Sequence, residues 1–203
     1  MKILKTVFVA LIVFGAMTVQ AQKIKVTKGD LSFLKGQTAV LLEYDYSNMS
    51  VGKFDNEEDY IAKKVAEYNE AEAGKGDKWK ESWFNDREAR FHPMFEKLLT
   101  EYTSSTGCKF AQGTDATYKL ILRTTFTEPG FNIGVARKDA MINVEITIVE
   151  VSNPESILTV MTMEKIPGRG AMGNDYDTGY RISEAYAKCG KSLGGYLTKK
   201  VFK

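Results

Sequence analysis

Three consecutive runs of alternating apolar and polar residues occupy the second half of the chain. In residues 118–127, Tyr118, Leu120, Leu122 and Phe126 alternate with Lys119, Arg123 and Thr127. In residues 140–151, Ile142, Val144, Ile146 and Ile148 alternate with Asn143, Glu145 and Thr147. Residues 157–164 form a third run, rich in β-branched residues and Met. A period of two sends successive side chains to opposite faces of a sheet, so each run predicts a strand with one buried face. The short link 152–156, with Asn153 and Pro154, predicts an antiparallel hairpin between the second and third strands. Residues 38–46 repeat the pattern, with Val40, Leu42, Tyr44 and Tyr46 on one face. Residues 23–27 and 108–111 predict two short strands, the first at a sheet edge.

The period changes to that of a helix in three places. Asp55 or Asn56 can cap a helix whose first turn holds Glu57, Glu58 and Asp59, where carboxylates favour the helix dipole. Gly74 and Gly76 stop it, and Asp77 is the expected cap of the next helix. On that helix Phe84, Phe91, Phe95, Leu98 and Tyr102 share a predicted face, and Pro93 predicts a kink or break. Residues 178–201 predict a C-terminal helix with a stripe of Ile182, Ala185, Tyr186, Cys189, Leu193 and Tyr196. Gly190, Gly194 and Gly195 each cost on the order of 1 kcal/mol against Ala in a helix. They imply a close approach of this helix to the sheet. The order is strand, two helices, a three-stranded meander and a helix. Such segregation predicts an α+β fold, with a mainly antiparallel sheet covered by helices on one face.

The N-terminal residues read as a targeting segment. Lys2 and Lys5 precede an apolar stretch, residues 6–19, too short for a comfortable membrane span, and Val19-Gln20-Ala21 resembles a cleavage site. Residues 1–21 are therefore expected to be a signal peptide, and 22–203 a single domain. Of the 28 basic residues, Lys2 and Lys5 leave with that segment, so 26 face 26 acidic ones. A zero balance gives no electrostatic footprint for nucleic acid, and no second apolar run reaches spanning length. Cys108 and Cys189 are the only cysteines. In an oxidising compartment they form one disulfide, or else they are two buried thiols.

Motif-like phrases carry no chemistry here. Gly168-Arg169-Gly170-Ala171-Met172-Gly173 spells a dinucleotide fingerprint, but polar residues separate it from the helix and no strand follows. Gly190-Lys191-Ser192-Leu193-Gly194 spells a nucleophile elbow inside a predicted helix, with the one histidine, His92, far upstream. Ser50-Val51-Gly52-Lys53 lacks the companion elements of penicillin-recognising enzymes. One His and two distant Cys cannot supply a typical zinc shell, and the acids near Asp175 miss the spacing of a calcium loop. No catalytic, metal or cofactor residue is nominated.

Strand direction nominates a site instead. In an up-down-up meander, loops 128–139 and 166–178 share one edge of the sheet. They bring together Phe131, Ile133, Val135 and Arg137 with Arg169, Asp175, Tyr176 and Asp177. Loops on a rigid scaffold, with aromatic and Arg anchors, are where partners bind. The plainer alternative is a long hairpin whose tip packs over a helix end. A second candidate is 78–91, where Trp79, Trp83, Arg87, Arg90 and Phe91 either stack on a sugar or peptide or form a core helix face.

The phrases Leu42-Glu43-Tyr44-Asp45-Tyr46-Ser47-Asn48-Met49, Gly74-Lys75-Gly76-Asp77-Lys78-Trp79 and Trp83-Phe84-Asn85-Asp86-Arg87 resemble a family of uncharacterised exported proteins of Bacteroidetes. That resemblance implies the periplasm or cell envelope of a Gram-negative bacterium, and transfers no functional residue. The expected function is a non-enzymatic envelope module binding a protein or glycan through loops 128–139 and 166–178. The alternatives are a hydrolase of an envelope polymer using loop acids such as Asp175 or Asp177, and a structural protein that assists envelope assembly.

Overall fold

The computed structural model describes residues 22–169 and 175–203. The expected signal segment and most of the Gly168–Gly173 phrase lie outside the described residues. The strands are β1 (Ile24–Lys28), β2 (Ala39–Asp45), β3 (Ser50–Val51), β4 (Lys109–Ala111), β5 (Tyr118–Glu128), β6 (Phe131–Asn132), β7 (Arg137–Lys138), β8 (Ala140–Glu150) and β9 (Asn153–Gly168). The helices are α1 (Glu57–Ala71), α2 (Lys75–Asp86), α3 (His92–Thr103) and α4 (Thr178–Lys200). A π-turn, Arg87–Phe91, joins α2 to α3.

The main sheet has the order β1-β9-β8-β5-β2-β4, with β3 also on β5. β5, β8 and β9 are the expected antiparallel meander, and β1 is the expected edge strand, antiparallel to β9. The other edge is parallel: β2 runs alongside both β5 and β4. The chain between β2 and β5 carries the helices, and parallel neighbours need such a crossover. The fold is α+β with a mostly antiparallel sheet. Val40, Leu42, Leu120, Leu122, Ile146, Ile148 and Met161 are all buried on one face. There α4 packs across β8 and β9, with α3 alongside it. Lys119–Glu43 and Arg123–Glu145 ion pairs mark the opposite face.

Several local expectations are corrected. Gly74 in the left-handed region (φ 78°), rather than Asp77, precedes α2. The side chain of Asn69 already accepts the Gly76 N–H at 2.7 Å, so α1 itself supplies the cap. Asn56 caps α1 as expected, accepting from the Asp59 N–H. The irregularity expected at Pro93 takes the form of the π-turn, and Pro93 lies directly after it in the first turn of α3, where a missing donor costs little. That turn also moves the buried face. Trp83, Phe91, Phe95 and Leu99 are buried, whereas Phe84 is 39% exposed. Trp83 and Phe91 are eight residues apart rather than the seven of two ordinary turns, and the wide turn between them takes up the extra residue. In β5 a bulge between Thr124 and Phe126 reverses the alternation, so Thr127 is buried and Phe126 is not.

The α4 glycines make their close approach to α3, not to the sheet. A Cβ at Gly190 would lie 2.2 Å from the Phe95 carbonyl oxygen, and one at Gly194 2.8 Å from the Tyr102 Cβ. Cys108 and Cys189 are free, buried thiols, the second of the two alternatives the sequence left open. Cys108 precedes the edge strand β4, while Cys189 faces β9, 3.9 Å from the Met163 sulfur. Burial pushes the Cys108 thiol up to about 11 and the Cys189 thiol higher still.

Candidate functional site

The two loops nominated from strand direction do meet at one edge. β5 runs on into the small β6–β7 hairpin. At its apex the Ile133 N–H donates to the Ala136 carbonyl at 3.0 Å, and the Gly134 N–H to the Asn132 side chain at 3.0 Å. Gly134 has φ 80°, which a side chain would resist. The tip therefore has defined geometry, and it carries apolar groups outward. Val135 is 95% exposed, Ile133 and Tyr176 67%, and Phe131 43%.

Beneath the tip lies a polar base. Arg181, in the first turns of α4, is buried. Its guanidinium donates to the carbonyls of Pro129 (3.3 Å), Gly130 (3.2 Å) and Asp175, and to the Thr178 hydroxyl at 2.9 Å. Burial lowers its pKa from the ordinary arginine value, and the carboxylates of Asp175 and Asp177 raise it again. The buried Asp175 carboxylate accepts from the Asn132 amide. Its other oxygen, Oδ2, lies 3.1 Å from Arg137 Nη2, an ion pair without hydrogen-bond alignment. The Asn132 hydrogen bond holds the Asp175 carboxyl below the usual carboxylate range, against the effect of burial. Arg137 also pairs with Asp139 at 3.1 Å.

Asp177 caps α4, accepting from the Tyr180 N–H at 2.6 Å, and pairs with Arg90. Arg90 in turn reaches Asp86 at 3.0 Å. Arg169 follows Gly168, which pairs with Ala140 at the same edge. Both acids of the hydrolase alternative are thus engaged in holding loops and a helix start. A general acid needs a raised pKa, and that of Asp175 is lowered. Burial raises the pKa of the Asp86 carboxyl, which lies tight under Gly179.

The second candidate segment divides. Trp83 and Phe91 are core residues. Arg87 enters a cleft of about 750 Å³ beside the π-turn, lined by Tyr44, Tyr46, Phe84, Glu88 and His92 among others. Its Nη2 lies 2.6 Å from both oxygens of Glu57, which also accepts from the Trp83 indole at 2.6 Å. The Arg87 guanidinium sits 4.0 Å from the Tyr46 ring and 4.9 Å from the Phe84 ring. Tyr44 and His92 stack at 3.7 Å, and the His92 Nε2 lies 3.1 Å from the Tyr46 hydroxyl. Burial, then the Arg87 charge, lowers the His92 pKa to about 4. The Tyr44 and His92 rings cover one another here, and Arg87 covers part of the Tyr46 and Phe84 rings.

Arg181 and Glu57 were missed by the sequence reading. An arginine four residues before Ala185, within an apolar stripe, was a usable signal. Glu57 read as a dipole carboxylate, and nothing in its spacing pointed to Trp83 or Arg87.

No family model and no curated protein matches the chain. Among solved structures it resembles the PelC dodecamer of Paraburkholderia phytofirmans in two crystal forms. One is 11% identical, covering 85% of this chain and 97% of that chain, with a TM-score of 0.37. The other is 10% identical, covering 89% and 98%, with a TM-score of 0.38. A Xanthomonas campestris protein of the DUF330 family model is 10% identical, covering 88% and 93%, with a TM-score of 0.38. Likeness this distant assigns neither family nor function. Among the described residues no helix is long and apolar enough to cross a membrane.

Proposed function

We propose that this chain is an exported, non-enzymatic module of the bacterial envelope that binds a protein through the β6–β7 tip and Tyr176. One observation carries the reading. Among the described residues the three most exposed large apolar side chains, Val135, Ile133 and Tyr176, lie with Phe131 at a single edge, above a buried polar base. Scattered apolar residues need no explanation, but a cluster on a fixed support marks an interaction site. The aliphatic Ile133 and Val135 stand beside the rings of Phe131 and Tyr176, and an aliphatic pair suits a protein surface better than a sugar. Export and the envelope setting rest on the N-terminal segment and the Bacteroidetes resemblance.

A photo-crosslinking residue at position 135, compared with one at exposed Glu72 just after the C-terminal end of α1, tests the assignment in cells. Discrete adducts are expected from position 135 alone, and Phe131→Asp with Ile133→Asp should remove them. Equal adducts from both positions, or none from 135, would sink the reading.

A further inference from the structure

The cleft beside the π-turn holds hydrogen-bond donors that the protein itself does not use. Both oxygens of Glu57 meet one guanidinium nitrogen of Arg87, Nη2, and among the described residues no acceptor meets Nε or Nη1. Asp175 Oδ2 is the one sealed side-chain polar atom without a partner among the described residues, so Nε and Nη1 are open to solvent in the cleft that Arg87 lines. His92 adds a third donor. Its pKa of about 4 leaves the ring neutral at pH 7. A phenol is a stronger donor than a neutral imidazole N–H, so the Tyr46 hydroxyl donates to Nε2 and the ring proton stands on Nδ1. Nδ1 too lacks a partner among the described residues and is not sealed. The directions of these donors are set in advance. The imidazole is stacked on Tyr44 at 3.7 Å, and Glu57 pins the guanidinium against the Tyr46 ring.

The rest of the lining narrows the ligand. Arg87 is the one cation among the lining residues, and Glu57 already answers its charge. The exposed Glu88 adds a carboxylate, and the exposed Asn85 an amide that both donates and accepts. Phe84, 39% exposed, adds a ring. An anion would contend with Glu57 for the guanidinium and would face Glu88. An apolar ligand would strand the donors as it displaced their water. A neutral ligand dense in hydroxyls meets donors and acceptors alike, and can lay its C–H face on the exposed ring. We propose that this cleft binds a neutral saccharide, whose hydroxyl oxygens accept from His92 Nδ1 and from Arg87 while another hydroxyl donates to Glu88. At about 750 Å³ the cleft falls within the usual range for small-ligand sites. The π-turn in its wall carries Arg87 and Glu88 at consecutive positions, and wide turns of this kind recur at functional sites. The cleft shares no residue with the β6–β7 tip, so this inference stands apart from the protein-binding reading.

His92 is the one histidine of the chain, so its ring nitrogens give assignable signals in nitrogen NMR. On protein produced with its own leader, the spectrum at pH 7 should show the proton on Nδ1. A proton on Nε2 would remove the donor and overturn the proposal. The same sample is then titrated with cellobiose and, separately, with N,N′-diacetylchitobiose to about 100 mM, well above the millimolar dissociation constant expected of so few contacts. A saturating shift at Nδ1 is expected with at least one of them. Glu88→Ala, at an exposed position that leaves the fold intact, should weaken that binding about tenfold, the loss of a hydrogen bond to a charged group. No shift with either sugar overturns the proposal, and an unchanged affinity in Glu88→Ala overturns its placement in this cleft. Benzoate serves as the anionic control. A shift with benzoate and none with the sugars would assign the cleft to carboxylates instead. The crosslinks from position 135 are read separately, so either result leaves the tip reading to its own test.

Discussion

Arg87 and Arg181 are both largely withdrawn from solvent, and the fold answers them in opposite ways. Arg87 meets a carboxylate, Glu57, and is flanked by the rings of Tyr46 and Phe84. Arg181 meets neutral oxygens, the carbonyls of Pro129, Gly130 and Asp175, with the acids Asp175 and Asp177 acting on it at longer range. The first arrangement joins α1 to the π-turn at the side of the cleft. The second gathers two loops that have no apolar core of their own. A carboxylate suits a place where a lone charge would be stranded. Carbonyls suit a place where irregular backbone needs donors.

The sharpest way to break that contrast is Glu57→Gln. It keeps an acceptor for the Trp83 indole and leaves the Arg87 charge unpaired. A loss of about 3 kcal/mol in urea unfolding is expected, since removing one partner of a buried pair strands the other. A loss below about 1 kcal/mol would mean that water already reaches Arg87 freely. Arg181→Met should cost less, about 2 kcal/mol, because the freed carbonyls can turn to water as the loops open. Its signature is local: hydrogen exchange should quicken across residues 128–139 and stay unchanged in β8. Uniform exchange throughout the protein would give Arg181 the same structural role as Arg87.

The smallest effect is a pH dependence near Arg87. The folded pKa of His92, about 4, lies below the ordinary value of 6.5, so the unfolded chain takes up the proton first. The stability this neutral imidazole contributes is complete above pH 6.5 and is lost as pH falls from there through 4. Water in the cleft limits it to the order of 1 kcal/mol. Urea midpoints should decline over that interval, and His92→Phe should flatten the decline. An unaltered slope in that variant would assign it to the carboxylates.

The meander was legible in the sequence because Ile142, Val144, Ile146 and Ile148 alternate without interruption, and the joining of loops 128–139 and 166–178 follows from strand direction. Other features have no periodic signature. The parallel pairing of β2 with β5 depends on which neighbour a strand chooses, and alternation is the same for either. The π-turn shifts the helix phase by one residue between Trp83 and Phe91, which left Phe84 looking buried. The bulge at Thr125 did the same to Phe126 and Thr127. Asp175 and Asp177 were visible as polar loop residues, but not their engagement by Asn132, Arg137 and Arg90, which needs contacts between distant segments.

The parallel placement of β2 bears on the order in which the molecule can assemble. Both neighbours of β2 in the sheet, β4 and β5, come after the whole helical stretch of α1 to α3. The α1–α2 hairpin and the β8–β9 hairpin are local and can form early. Leu42 cannot meet Leu120 until a loop spanning those helices has closed. Loop closure of that span carries its entropy before any contact rewards it, so the pairing of β2 with β5 is the slow event. Until it occurs, Val40 and Leu42 remain uncovered, and the chain is at its most vulnerable to sticking and to proteases in that interval.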